Sequence, residues 1–151
     1  MAAATRVIST EGRVKQRVRR RLTKAERQAV YDKCKGHCAY CGCEIPFKGF
    51  HVDHVKCLRN YEYMDELLGI EVDGIENMLP SCSSCNRYKA TFDLETFRKM
   101  LSGITKRLAR DVSTYNIAVR FNMIEEHNEP IIFYFERMKE REDEEHERRN
   151  T

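Results

Sequence analysis

The sequence predicts one α+β domain stapled by a bound metal ion, with a short hairpin, flanking helices and a C-terminal strand. Three observations support this class: two Cys-x-x-Cys pairs, helix-start signals followed by apolar residues at helical spacing, and a β-branched run between the cysteine pairs. At 151 residues the chain is long enough for one compact domain with a modest core. We expect that domain over residues 23–135.

Basic charge is concentrated at the amino-terminal end of the chain. Residues 1–28 hold nine Lys or Arg and two Glu, although the net charge of the whole chain is only +3. Residues 1–22 lack steady periodicity, so we expect a flexible basic arm in which Arg19, Arg20 and Arg21 bind nucleic-acid phosphates. A solvated tail that only aids solubility is the alternative.

The apolar pattern excludes a membrane protein. The longest apolar stretch covers residues 131–135, whereas a spanning helix needs about 20 such residues. No apolar signal core is present at the amino terminus. We therefore expect a soluble, cytoplasmic protein, in which seven cysteines are more typical of thiolate ligands or buried thiols than of disulfides.

Capping signals mark the helices in chain order. Thr23 and Glu26 have the spacing of a capping box, which predicts a helix to about Lys35 that stops at Gly36. Asp93 is an expected N-cap for a helix from Leu94 to about Arg110. Gly103 lies within that helix and is expected to weaken it without breaking it.

Two further segments read as strands. The β-branched run from Phe50 to Val55, after the turn-rich stretch that starts at Cys38, predicts a hairpin. The run Ile131-Ile-Phe-Tyr-Phe135 predicts a strand. Residues 136–151 are mostly charged and predict a frayed helical tail.

The two cysteine pairs predict a structural zinc site. Each pair lets both sulfurs face one ion, and four thiolates complete a tetrahedral shell. Cys43 is the main competitor as a ligand, but its single-residue spacing from Cys41 would strain a shared tetrahedron. We expect the three remaining cysteines to be ordinary thiols. The predicted zinc ligands are Cys38, Cys41, Cys82 and Cys85, and the ordinary thiols are Cys34, Cys43 and Cys57.

Polar residues at fixed distances from the pairs carry a resemblance to a known family. Asp53-His54 lies between the pairs, Asn77 precedes the second pair, Asn86 follows it directly and Lys89 comes three residues later. This order resembles the HNH endonucleases, a family of ββα-metal nucleases, over about residues 31–92. The resemblance to small phage and bacterial members implies a ββα-metal core, a DNA substrate, 5′-phosphate ends and a bacterial or phage-infected host cell. A homodimer or a larger assembly is compatible with it.

The chemistry of phosphodiester hydrolysis asks for the same residue types. A neutral imidazole can act as general base near pH 7, which predicts that role for His54. Asp53 and Asn86 offer oxygen ligands suited to Mg²⁺ or Mn²⁺. Neighbours on a regular strand point to opposite faces, so Asp53 and His54 share a site only where the strand ends, bulges or bends. The resemblance implies that Asn77 fastens the loop that orients His54.

Several residues have two readings. Arg87 and Lys89 either hold a phosphate or are plain solvent-exposed cations. His51 either assists the metal or is a hydrogen-bonded bystander, which we favour. Residues 61–76 carry six acids and no base, and we expect them to form a solvated face.

Rival functions explain less of the sequence. A zinc nucleobase deaminase carries His-x-Glu followed later by Pro-Cys-x-x-Cys, and this chain offers only the near miss His51-Val-Asp53 with Pro80-Ser-Cys82-Ser-Ser-Cys85. A two-cysteine, two-histidine finger would use His51 and His54 at unusual spacings and leave the second cysteine pair without a role. The main alternative is a zinc-ribbon module that binds nucleic acid without catalysis. It accounts for the cysteines and the basic arm, but not for Asp53, His54 and Asn86.

Overall fold

The computed structural model describes residues 21–58, 72–127 and 129–150. Within these ranges it has six α-helices and one two-stranded sheet, which confirms the α+β class. None of the described helices has the length and apolar character that crossing a bilayer requires. In chain order the elements are α1 (Lys24–Asp32), β1 (His51–His54), a 3₁₀ turn (Ile75–Asn77), β2 (Met78–Ser81), α2 (Ser83–Lys89), α3 (Leu94–Ser102), α4 (Ile104–Asp111), α5 (Ser113–Arg120) and α6 (Tyr134–Asn150).

Some predictions fall outside the described residues. Arg19 and Arg20 of the expected arm lie there, and so does most of the acidic segment 61–76. The division into residues 1–22, 23–135 and 136–151 stays a prediction. Its second boundary falls within α6, which is one continuous helix.

Helix α1 begins where the capping box predicts. The Thr23 hydroxyl accepts from the Glu26 backbone N–H, and the Glu26 carboxylate accepts from the Thr23 N–H at 2.8 Å. The helix ends at Asp32, three residues earlier than expected, and turns carry the chain to Gly36, where φ is +83°. Val30, on the inner face of α1, is fully buried in the core.

The sheet pairs β1 with β2 rather than with a segment close to it in sequence. The strands are antiparallel, with His51 opposite Ser81 and His54 opposite Met78. The hairpin expected within residues 38–55 is therefore wrong: β1 finds no strand partner there, and Glu44 forms only an isolated bridge with His37. The partner of β1 begins 24 positions after its end, so no local turn signal could reveal it.

The far edge of β2 is covered by the first cysteine pair. The Ala39 N–H donates to the Pro80 carbonyl at 2.8 Å. The Lys33 ammonium donates to the Met78 carbonyl at 3.1 Å and to the Ile75 carbonyl at 2.6 Å. These contacts fix the first pair against the strand that leads into the second pair.

The helix predicted to pass through Gly103 is broken there. Gly103 has φ −91° and ψ 1°, and it separates α3 from α4. The Arg107 guanidinium occupies the space beside Gly103 and donates to the Met100 carbonyl at 2.7 Å. A side-chain donor thus replaces a missing helical partner, and glycine makes the bend inexpensive. Asp93 caps α3 as expected, accepting from the Thr96 N–H at 2.8 Å.

The strand predicted over residues 131–135 is wrong, because α6 starts at Tyr134. The first N–H groups of a helix have no intrahelical partner. Here the N–H groups of Tyr134 and Phe135 donate to the carbonyls of Tyr40 and Ala39, at 3.1 and 2.9 Å. The apolar run therefore packs against the first cysteine pair without joining a sheet.

An aromatic cluster forms the centre of the core around Tyr40. Its ring makes edge contacts with Phe97 and Phe133 at centroid distances of 5.4 Å, and those two rings stack on each other at 5.4 Å. All three side chains are buried. Since Tyr40 lies between Cys38 and Cys41, the turn that carries the first cysteine pair also contributes a central side chain of the core.

Candidate metal centre and active site

The four predicted cysteine ligands lie together. Their sulfur atoms all fall within 4.8 Å of one another, and the Sγ atoms of Cys41 and Cys82 are 3.9 Å apart. Zn–S bonds of about 2.3 Å in a tetrahedron place sulfurs about 3.8 Å apart. The four thiols therefore fit a metal such as zinc with a small contraction. The group consists of Cys38, Cys41, Cys82 and Cys85.

The positions of the sulfurs follow from the backbone around each pair. Gly42 has φ +77°, a conformation that costs glycine little, and its N–H donates to the Cys38 carbonyl at 2.9 Å. The Cys82 sulfur accepts from the Cys85 N–H at the start of α2. The first pair thus sits on a tight turn and the second on a helix start.

The thiols influence one another strongly. A hydrogen bond from Cys85 lowers the pKa of Cys38 to about 4, although burial opposes this shift. The same contact with Cys38, together with burial, raises the pKa of Cys85 far above its ordinary range. Neighbouring thiolates repel, so the set cannot ionise fully without a cation between the sulfurs. A bound metal ion supplies that charge.

The other three cysteines are not members of this group of four described sulfurs, although the Cys43 thiol also hydrogen-bonds to Cys41 and Cys82. Cys34 is buried, and burial raises its pKa to about 11. Cys57 is half-buried and Cys43 is exposed. Cys43 supports the turn through its backbone, because its carbonyl accepts from the Cys38 N–H at 2.8 Å.

Asp53 lies near the end of β1 and is 6% exposed. Its Oδ2 is 2.9 Å from the Lys89 ammonium and also accepts a hydrogen bond from the Tyr40 hydroxyl. Burial and the Asp53 charge raise the pKa of Tyr40 far above its ordinary value, so this hydroxyl remains a donor. One oxygen of the carboxylate is therefore held by two donors, one within the first cysteine pair and one shortly after the second.

Lys89 differs from both sequence readings. Its side chain is 0% exposed, and its ammonium donates to the His54 carbonyl at 3.0 Å as well as to Asp53. The expectation of a solvent-exposed cation, free to bind phosphate, is wrong for this residue. A buried ammonium is stable only when paired, and Asp53 supplies the opposite charge.

His54 is the last residue of β1, which is where the sequence allowed it to share a site with Asp53. The side chain is 9% exposed. Its Nε2 lies 2.9 Å from Asp73 Oδ1. Its Nδ1 is buried and has no hydrogen-bond partner among the residues that the structure describes.

Asn77 joins the segments that flank the site. Its side-chain oxygen accepts from the Lys56 N–H at 2.9 Å, and its amide donates to the carbonyls of Lys56 and Val72 at 2.9 and 2.7 Å. Its own carbonyl accepts from the Val55 N–H. These bonds hold the chain just after His54, which is the kind of contact that the resemblance implied.

The remaining predicted residues are half-buried or exposed. Asn86 is half-buried on α2, three positions before Lys89, and residues three apart share a helix face. Lys89 reaches both Asp53 and His54, so α2 lies against that end of β1. Arg87 is exposed on α2, and His51 and Arg21 are exposed.

Two neighbours of the site were missed by the sequence reasoning. Asp73 was assigned to a solvated acidic face, and no role was predicted for Tyr40. The only available signals were their positions, four residues before Asn77 and next to Cys41. Neither position identifies a partner across the fold.

Comparison with known proteins agrees with the residue pattern. Residues 38–92, about a third of the chain, match the family model of HNH endonuclease, which confirms the resemblance seen in the sequence. No curated protein and no solved structure matches the chain.

Proposed function

We propose that this chain, with an HNH endonuclease match over residues 38–92, is a metal-dependent endonuclease that hydrolyses phosphodiester bonds of DNA. The observation that carries the proposal is the placement of Asp53 and His54. They lie buried at the end of β1, next to the helix that starts in the second cysteine pair. A carboxylate and an imidazole at one point are the groups that water activation requires.

His54 is the proposed general base. It takes a proton from water while the water oxygen bonds to phosphorus and the bond from phosphorus to the 3′ oxygen breaks. The leaving oxygen then gains a proton from solvent, and the other fragment keeps a 5′-phosphate. A positioned base of this kind contributes about 10²- to 10⁴-fold to the rate.

Two metals have separate roles in this proposal. A structural zinc ion would be held by the four cysteines, whose spacing and charge suit it. Asp53 and Asn86 would hold Mg²⁺ or Mn²⁺, because carboxylate and carboxamide oxygens are ligands that such hard ions accept. The divalent ion supplies positive charge at the scissile phosphate and the leaving oxygen.

The contacts of Asp53 suggest how it would serve as a ligand. Oδ2 is already bonded to Tyr40 and Lys89, so Oδ1 is the oxygen we assign to the divalent ion. One oxygen from Asp53 and one from Asn86 make few protein ligands, and the nearby Lys89 charge opposes the cation. The ion should therefore bind weakly until substrate phosphate completes its shell.

Arg87 is the cation on α2 that we assign to the DNA backbone. It is exposed, and it follows Asn86 directly. Arg19, Arg20 and Arg21 of the basic arm are proposed as further phosphate contacts. Lys89 is removed from this group because its ammonium is buried against Asp53.

A zinc-ribbon module that only binds nucleic acid is the second candidate. One observation favours it: the Asp53 carboxylate makes a buried ion pair with Lys89, and a purely structural residue could do the same. The two functions differ in whether His54 is needed for chemistry.

A plasmid-nicking assay separates the candidates. Zinc-loaded protein is incubated with supercoiled DNA, with and without added Mg²⁺, and the zinc content is checked afterwards. The variant His54→Ala should lose at least about 100-fold in rate. The matched control is His51→Ala, which removes an exposed histidine from the same strand and should cut normally. DNA binding without nicking, or equal rates for both variants, would favour the non-catalytic module.

A further inference from the structure

We propose that Asp73 is a positioning residue for His54, which it holds so that Nδ1 is the atom that accepts a proton. The catalytic consequence rests on the nuclease function proposed above. The geometric part stands on the contacts of the imidazole alone.

The hydrogen bond to Asp73 decides which ring nitrogen carries the proton. An ionised carboxylate can only accept, so Nε2, at 2.9 Å from Asp73 Oδ1, must be the N–H donor. In a neutral imidazole the other nitrogen is then the acceptor. His54 therefore presents a lone pair at Nδ1.

The surroundings of Nδ1 are unusual for a buried polar atom. It has no hydrogen-bond partner in the described part of the chain, whereas most buried polar side-chain atoms have one. A histidine with only a packing role would be more stable with both nitrogens bonded or exposed. The unpaired nitrogen is the one that the Asp73 contact leaves without a proton, as a general base requires.

The structure also shows how Asp73 is held in place. The preceding residue, Val72, is buried, and its carbonyl accepts from the Asn77 side chain at 2.7 Å. The carbonyl of Gly74 accepts from the Asn77 N–H at 3.0 Å. Both flanks of Asp73 are thus fixed by one residue, which also bonds to Lys56 just beyond His54. We infer that Asn77 places the acceptor as well as the base.

The proposed pairing of Asp73 with His54 is the usual arrangement of a general base that a third group orients. A third group fixes the ring and its tautomer, and the opposite nitrogen does the chemistry. Removing the partners that orient metal-bound histidines typically lowers metal affinity or activity by about 10- to 100-fold. We expect a loss of that size when Asp73 is replaced.

The first experiment measures the tautomer directly and needs no cleavage. Zinc-loaded protein labelled with ¹⁵N in histidine is studied by NMR above pH of about 6.5, where a free imidazole is mostly neutral. His54, assigned with His54→Ala, should show a pyrrole-like Nε2 and a pyridine-like Nδ1. In Asp73→Ala this pattern should give way to a mixture of tautomers. The opposite tautomer in the wild type, or an unchanged pattern in the variant, would overturn the proposal.

The second experiment measures catalysis by the same variants. Asp73→Ala should lower kcat about 10- to 100-fold with little change in KM for DNA or in Mn²⁺ affinity, because Asp73 contacts the base. Asp73→Asn keeps an acceptor oxygen and should recover part of the rate. The matched control is Glu76→Gln, which removes an exposed carboxylate from the same segment and should leave kcat unchanged. If Asp73→Ala and Glu76→Gln lower kcat equally, the loss comes from removing a negative charge in this segment, and the positioning role of Asp73 is refuted.

The two experiments fail in different ways. If the wild-type protein does not cut DNA, the nuclease function is refuted, and the NMR result still decides whether Asp73 fixes the His54 tautomer. If His54→Ala abolishes cutting but Asp73→Ala does not change it, the nuclease function stands and the role of Asp73 is refuted.

Discussion

Replacing Lys89 with Met is expected to destabilise the domain strongly, although Met keeps most of the buried stem. The ammonium of Lys89 lies 2.9 Å from Asp53 Oδ2 and 3.0 Å from the His54 carbonyl, and its side chain is fully buried. Removing one member of a buried ion pair typically costs about 3 to 5 kcal/mol, because the other charge stays buried. Tyr40 still donates to Asp53, so we expect the lower end, about 3 kcal/mol.

Such a loss is a large fraction of the stability of a domain, which is typically about 5 to 15 kcal/mol. We would measure it by urea unfolding with circular dichroism at one fixed free-zinc concentration, since ligand binding to the folded state shifts apparent stability. Arg87→Met is the matched control, because it removes an exposed cation from the same helix. It should change the free energy of unfolding by no more than about 0.5 kcal/mol.

A double variant tests whether the effect comes from the pair. Asp53→Asn combined with Lys89→Met removes both charges, and it should cost less than the sum of the two single changes. The reasoning would be refuted by a Lys89→Met variant within about 0.5 kcal/mol of the wild type, or by strictly additive costs.

Three further predictions concern the metal centre and its neighbours. Zinc removal should abolish cooperative folding, with recovery on zinc addition, because metal binding joins the two cysteine pairs; unchanged circular dichroism of demonstrably zinc-free protein would contradict this. Tyr40→Phe keeps the ring packed and loses the donor to Asp53. The variant should retain zinc, lose about 1.5 to 3 kcal/mol in the free energy of unfolding and cut DNA about 10-fold more slowly. Wild-type stability and a wild-type cutting rate would count against the importance of this contact. Gly42→Ala should lower the free energy of unfolding by at least about 1 kcal/mol, since φ is +77° and a Cβ would meet the Tyr134 ring at 2.8 Å. Thermal unfolding should show a larger loss of stability than for Gly49→Ala, where φ is not positive. Equal losses would be inconsistent with strain at Gly42.

Local signals in the sequence predicted the features that depend on neighbouring residues. The caps at Thr23 and Asp93 are made within three residues, so their spacing was sufficient. The cysteine pairs were equally clear, because each pair brings two ligands to one point and the four sulfurs do meet. Asp53 and His54 were placed correctly at a strand end.

The errors arose where a distant partner decides the outcome. The run from Ile131 to Phe135 has strand composition, but the N–H groups of Tyr134 and Phe135 donate to carbonyls within the first cysteine pair instead of to a strand edge. Gly103 breaks a helix because Arg107 supplies a replacement donor. The predicted hairpin failed for the same reason, since β1 pairs with a strand far along the chain.

In the candidate site, too, the features that the sequence did not predict depend on partners far along the chain. Lysine is almost always exposed, so composition alone gave no reason to bury Lys89, and its burial depends on Asp53 lying across the fold. Asp73 sits in an acidic segment and became a neighbour of His54 only through the Asn77 contacts. Helix α5 was not predicted, and it is only eight residues long.

The outer edge of β2 has a consequence for self-association. Exposed strand edges offer unpaired N–H and C=O groups to other chains and promote aggregation. On this edge Ala39 takes the Pro80 carbonyl, Lys33 takes the Met78 carbonyl, and Pro80 has no N–H to offer. A second chain approaching this side would find few backbone groups to pair with, so Lys33 and the turn that carries the first cysteine pair also protect this edge of the sheet from edge-to-edge addition.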